Sequence, residues 1–158
     1  MEILVVVMVI LVIAAIAIPS MLQARMRANE AAALASMNVI HTAEAMYSSA
    51  YPQVGFTGNL AYLGSHGSNC ETTSKTKSCI IMDEALTSGL KSGYTFELIG
   101  DGNVPDSSYT LTAAPESPAT SGRCIYISTE PGQILAAAAN SGKTSRFTMG
   151  VGSACGHS

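Results

Sequence analysis

Glu2 to Pro19 reads EILVVVMVILVIAAIAIP: one acid, sixteen apolar residues from Ile3 to Ile18, and a proline, with no further charge until Arg25. Extended by Ser20-Met21-Leu22-Gln23-Ala24, the run comes close to the roughly 20 residues that cross a bilayer core. A carboxylate at the mouth of such a run is costly to place in hydrocarbon and calls for a partner. A secretory signal peptide would carry a basic flank ahead of a shorter apolar stretch. Here an acid leads, and only Ala14-Ala15 and Ala17 fit a cleavage site. The segment reads as a membrane helix with one weak point, since a proline inside a helix removes a backbone hydrogen bond.

The helical pattern does not stop there. Ser20 to Tyr51 is rich in Ala, Met, Leu, Gln, Arg and Glu and holds neither Gly nor Pro, a composition that favours helix. Ala33, Met37, Ile40, Tyr47 and Tyr51 recur at close to helical spacing, with Glu44 interrupting the stripe. Pro52 closes the segment, because the residue before a proline is pushed out of the helical region. Three regions follow: 1–24 as an apolar half-helix, 25–51 as an amphipathic half, and 52–158 as one small head. Arg25 and Arg27 just after the apolar run would by themselves draw that end to the cytoplasm.

Past Pro52 the composition shifts to Gly, Ser and Thr with sparse charge. Asn59–Leu63 (NLAYL) and Asp83–Leu86 each suggest a single helical turn, the second stopped by Gly89. Tyr94–Ile99, Tyr109–Ala113 and Cys124–Ser128 alternate and carry β-branched or aromatic residues, which predicts three strands; Phe147–Met149 is a candidate fourth. Turn chemistry joins them at Gly100–Asn103, Pro115–Gly122 and Glu130-Pro131-Gly132. The fold class is therefore α+β: a long N-terminal helix whose second half covers an antiparallel sheet of three to four strands.

Four cysteines in a weakly cored domain suggest two disulfides and an oxidising compartment. Of three connectivities, the reading takes Cys70–Cys79, tying a Ser/Thr/Lys loop, and Cys124–Cys155, pinning the C-terminal tail. The spacings match no zinc pattern, even with His66 beside Cys70. Net charge is −3 and the eight Lys and Arg are scattered, so no basic patch for nucleic acid is present. Two S-x-x-K matches (Ser74 to Lys77, Ser88 to Lys91) fall in a head peppered with Ser and Lys. Gly142-Lys143-Thr144 lacks the earlier glycine of a phosphate loop. His41, His66 and His157 have no nucleophile and acid arranged with them. The expectation is no enzyme, no cofactor and no metal. No aromatic precedes Tyr47, so a continuous aromatic path for electrons along the helix is not expected.

The acid, the apolar stretch and the Ala17-Ile18-Pro19 ending resemble the type IV pilins, the filament proteins with class III signal peptides that include the type II secretion pseudopilins. Beyond about residue 25 the likeness is one of layout. In that family the acid stands further in, behind an N-methylated aromatic residue, whereas here it is second. The expectation is a chain that begins three residues into the mature sequence, with a basic leader removed by a prepilin peptidase. The resemblance implies a structural subunit, the major pilin of a type IV pilus. It would wait as a single-pass protein in the inner membrane and then be polymerised by the inner-membrane assembly machinery into a surface filament for adhesion, motility or DNA uptake. Ile3, Leu4, Val5, Val6, Val7, Ile10, Leu11, Ile13, Ile16 and Ile18 would line the filament core. Glu2 would pair with a neighbour's amino terminus and check register, beyond the plainer role of a capping acid at a helix N-terminus. Pro19 would loosen the packed helix or mark the membrane exit. With no N-x-S/T sequon, any glycan would be O-linked. The alternatives are a major pseudopilin, disfavoured because Asp106, Glu116 and Glu130 are spread along the chain rather than clustered for calcium, and a membrane-anchored monomeric binding domain.

Overall fold

Good helix formers without an internal glycine carry the chain from Glu2 to Ala50 as one 49-residue helix, α1, about 74 Å long at 1.5 Å per residue. The computed structural model describes residues 2–65, 70, 73–130 and 133–139, with Glu2, Pro19, Glu130 and Ala138 described by backbone alone. The helix runs through Pro19 without ending, and just beyond it the Ser20 hydroxyl donates to the Ala17 carbonyl at 2.9 Å. It stops at Ala50, leaving Tyr51 before Pro52 outside the helix as the proline rule requires.

The two single turns sit in the expected segments. A 3-10 turn spans Leu60–Leu63, opened by Asn59, whose side chain accepts the Ala61 N–H at 3.0 Å. Helix α2 is Glu84–Thr87; the Asp83 carboxylate accepts from Ala85 N and Leu86 N at its start. That carboxylate also pairs with Lys91 at 2.6 Å. Gly89, at φ +86°, turns the chain out of α2 in a region that other residues avoid.

The sheet has five strands in sequence order: β1 Leu90–Lys91, β2 Tyr94–Gly100, β3 Tyr109–Pro115, β4 Cys124–Glu130 and β5 Gln133–Ala138. All neighbours are antiparallel. The three predicted strands are present, each a residue or two longer, and the expected count of three to four becomes five. One addition is the short β1, joined to β2 by Ser92-Gly93, both at positive φ. That is the geometry of a tight two-residue hairpin. The other addition is β5. The candidate strand Phe147–Met149 lies outside the described residues.

The second half of α1 covers one face of this sheet. Ala33, Met37, Ile40, Ala43 and Tyr47 are buried against Leu63, Leu86, Tyr94, Phe96 and Leu111. The sheet strictly alternates beneath them: Tyr94, Phe96 and Leu98 point in while Thr95, Glu97 and Ile99 point out. One cross-sheet row on the outer face runs Glu97, Thr112, Ile127, Leu135.

Candidate assembly surface and the helix–head seam

The sequence places sixteen apolar residues in a row, and among the described residues none of them is buried. Every large apolar side chain from Ile3 to Ile18 is between 48 and 80 % exposed. Ile3, Leu4, Val5, Val6, Val7, Ile10, Leu11, Ile13, Ile16 and Ile18 all belong to this set. A soluble monomer rarely shows contiguous apolar surface on this scale. Among the described residues this is one helix long and apolar enough to cross a membrane. Burial begins at Met26, one residue past Arg25.

The outward side of α1 continues the theme beside the head. From Ala28 to Ala50 its exposed positions are Ala, Asn, Val, Thr, Met and Ser, with no charged side chain among them. A helix facing only water usually carries charge on that side. Here Val39 and Met46, a heptad apart, are half exposed. With Asn38, Thr42, Ile80 and Ile81 they line a shallow groove between α1 and the chain leading into α2.

Of the two residues singled out for assembly, Glu2 lies in the first turn of α1 and Pro19 within it. What the Glu2 carboxylate meets lies outside the described side chains. The Cys70–Cys79 disulfide is formed. It closes a hairpin whose tip is fixed by reciprocal Ser74–Lys77 backbone bonds of 2.8 and 3.0 Å. The same hairpin is tied to α1 by the Tyr47 hydroxyl, which donates to the Lys75 carbonyl at 2.7 Å. In the second pair, Cys124 is buried at the start of β4, and Cys155 lies outside the described residues.

Three polar contacts that sequence reading did not single out join α1 to the head. The Glu30 carboxylate accepts the Arg123 N–H at 2.8 Å, tying the helix to the entrance of β4. His41 Nδ1 and the Tyr109 hydroxyl share a buried hydrogen bond of 2.6 Å. Glu44, with no exposed surface, accepts the Thr57 N–H at 2.9 Å. Burial raises the Glu44 carboxyl to about 8, opposed by the Thr57 hydrogen bond and reinforced by the Asp106 carboxylate. Burial also pushes Tyr109 up to about 12, with Glu44 adding to it, and lowers His41. The sequence did carry one signal for this seam: Glu44 is the acid that breaks the apolar stripe. His41 and Tyr109 carried none, because a lone histidine on a helix and a tyrosine in a strand fit ordinary core positions.

Asp101 and Asp106, which fall in one loop, are used internally. Asp101 accepts from Asn103 N at 2.9 Å and from Ser107 N and Oγ at 3.2 and 2.8 Å, which holds its carboxyl below the usual carboxylate range. Among the described residues no group of His, Cys, Asp and Glu side chains is arranged to hold a metal ion. No family model matches the chain, and neither a curated protein nor a solved structure matches it.

Proposed function

We propose that this chain is the structural subunit of a type IV pilus, held in the inner membrane by the first half of α1 and polymerised through that same half into a surface filament. One observation carries the reading: an apolar rod, exposed along its whole first half, is continuous with a compact head that leaves the rod uncovered. Such a surface needs lipid before assembly and sister helices afterwards. The charge-free outward side of α1 from Ala28 to Ala50 supports close approach of neighbours beside the heads as well. The pilin-like layout, a long helix laid on an antiparallel sheet with a disulfide-tied loop, agrees with this role.

In such a filament Glu2 is the one carboxylate that enters the shared core. A buried acid without a counter-charge costs several kcal/mol, and a neighbour's amino-terminal ammonium removes that cost. Each incoming subunit is thereby set in register. The partners are further copies of the chain, the membrane, a prepilin peptidase and the assembly machinery. The test is to shear cells and compare the released filaments with the membrane fraction. Glu2→Ala is expected to leave the protein in the membrane and remove it from the sheared fraction; filaments at the wild-type level from that variant would end the register role. Absence of the unaltered chain from any sheared filament would end the pilus reading itself.

A further inference from the structure

Glu44 does something at the seam that neither membrane insertion nor polymerisation requires. It is a carboxylate with no exposed surface in the middle of a helix face otherwise made of Ala33, Met37, Ile40, Ala43 and Tyr47. Its Oε2 accepts the Thr57 N–H at 2.9 Å, while its Oε1 is buried with no hydrogen-bond partner. Thr57 ends a short segment, 54–57, whose other side is bound to the loop between β2 and β3. Phe56 N donates to the Asp106 carbonyl at 3.1 Å and Asp106 N donates to the Val54 carbonyl at 2.8 Å. At Gly55 (φ +81°) a Cβ would collide with the Asp106 backbone, so the two strands of chain lie in close contact. Helix, segment and loop are thus linked in series, and Glu44 is the side chain that fastens the first to the second.

Among the described residues, the groups facing Glu44 offer no counter-charge. On α1 itself these are His41, one turn before, and Tyr47, one turn after. From β3 comes Tyr109, and from the loop comes Asp106, an acid that adds repulsion. Behind Asp106 stands Asp101, a second acid. Segment 54–57 contributes no titratable side chain. His41 spends Nδ1 on Tyr109, and burial disfavours its charged form. The salt bridge among the described residues is Lys91–Asp83, which joins β1 to the start of α2. His41 Nε2, Glu44 Oε1 and Asp106 Oδ1 are the buried side-chain atoms left without partners among the described residues, and all three belong to this seam.

A neutral carboxyl fits this site and a carboxylate does not, because one backbone N–H does not compensate a lone anion taken out of water. We propose that Glu44 is a proton-operated clasp: protonated, it docks segment 54–57 and with it the 101–108 loop onto α1, and on ionisation it lets both lift away. The step releases one proton from Glu44 to solvent, breaks the Thr57 N–H···Oε2 bond and admits water to the carboxylate. Burial holds the carboxyl at about 8, so the clasp is shut in neutral and acid surroundings and opens in alkaline ones. The sheet beneath it keeps its own hydrogen bonds and does not take part. The inference does not depend on polymerisation.

The test is amide hydrogen exchange on the full chain in detergent micelles, corrected for the intrinsic pH dependence of exchange. Between about pH 6 and about pH 9.5, protection over 54–57 and 101–108 is expected to fall on the order of tenfold in the wild type. It should change less than about twofold in Glu44→Gln, which keeps the hydrogen-bond acceptor and cannot ionise. Amides of β2 and β3 should stay protected in both proteins. Equal protection at the two pH values in the wild type, or the same loss in Glu44→Gln, would overturn the clasp. Should Glu44→Gln prove unfolded, with its β2 and β3 amides unprotected throughout, the carbon-13 signal of the wild-type Glu44 carboxyl decides. A midpoint near 8 that coincides with loss of Thr57 amide protection supports the clasp, and a midpoint below about 5, the range of a free glutamate, overturns it.

Discussion

Tyr109 shows how much the docking of α1 depends on single atoms. Its ring meets Phe56 edge-on with centroids 4.9 Å apart, and its hydroxyl shares the 2.6 Å bond with His41. Tyr109→Phe keeps the ring and removes the oxygen, leaving His41 Nδ1 as a buried group without a partner. The expected cost is about 1–3 kcal/mol, read as a lowered melting temperature of the full chain in detergent. His41 adds a pH signature of its own. Burial holds its pKa below the ordinary value of 6.5, so the folded head resists protonation that the unfolded chain accepts. The stability this contributes is present above about pH 6.5 and is lost as pH falls toward the lowered value. Glu44 has the opposite sign: its contribution is complete below the free-glutamate value and declines as pH rises to about 8. Between about pH 6.5 and about pH 8 the melting temperature should therefore fall as pH rises; below about 6.5 the two effects oppose each other, and His41→Gln should let the melting temperature go on rising as pH falls toward the free-glutamate value.

At the scale of elements, what could be read from the chain was what repeats. The stripe from Ala33 to Tyr47 has the helical period and is the buried face of α1; the alternation in YTFELI became the alternation of buried and exposed residues in β2. The segments Asn59–Leu63 and Asp83–Leu86 were legible as single turns, and the structure adds that Asn59 and Asp83 cap them. Elements without a period were missed. Strand β5, QILAAA, is apolar on both sides and rich in alanine, a good helix former, so only pairing with β4 makes it a strand. Strand β1 has two residues, too few for any periodicity, although the Ser-Gly pair after it is a hairpin signal. Long-range side-chain pairs were equally hidden: Glu30 with Arg123 N, and His41 with Tyr109, join positions far apart in sequence.

The Cys70–Cys79 hairpin is an element whose worth can be measured. The two cysteines are 9 residues apart, and in the chain-entropy account closing a loop of that length stabilises by about 2–3 kcal/mol. The loop is also where the Tyr47 hydroxyl reaches out of the core to the Lys75 carbonyl. Replacing both cysteines by serine is expected to lower the stability of the head by that amount while leaving the sheet intact. Denaturant unfolding of the full chain in detergent checks the first part. Retained amide protection in β2 and β3 checks the second.

For the molecule as a whole the governing fact is an imbalance between its two ends. The head satisfies its own apolar surface with one face of α1, whereas the rod from Ile3 to Ile18 satisfies nothing. Two environments can supply the missing contact, lipid and other copies, and they differ in what they ask of the rest of α1. Lipid asks nothing of residues beyond the span. In the proposed filament, packing of copies would bring the outward side of α1 beside the head against neighbours, where a charge would be stripped of water and left unpaired. Val39 stands on that side, half exposed and clear of the core. Val39→Lys is therefore expected to leave the stability of the head within about 0.5 kcal/mol of the wild type, as for other surface changes. Membrane insertion should be unaffected as well, because the residue lies well past Arg25. The sheared filament fraction should drop by tenfold or more, since burying an unpaired ammonium costs several kcal/mol and each 1.4 kcal/mol is about a factor of ten. Val39→Ala, which trims the contact without adding charge, should assemble nearly as well as the wild type. Filaments at full yield from Val39→Lys would mean that this side of α1 stays in water, and that copies meet through the apolar rod alone.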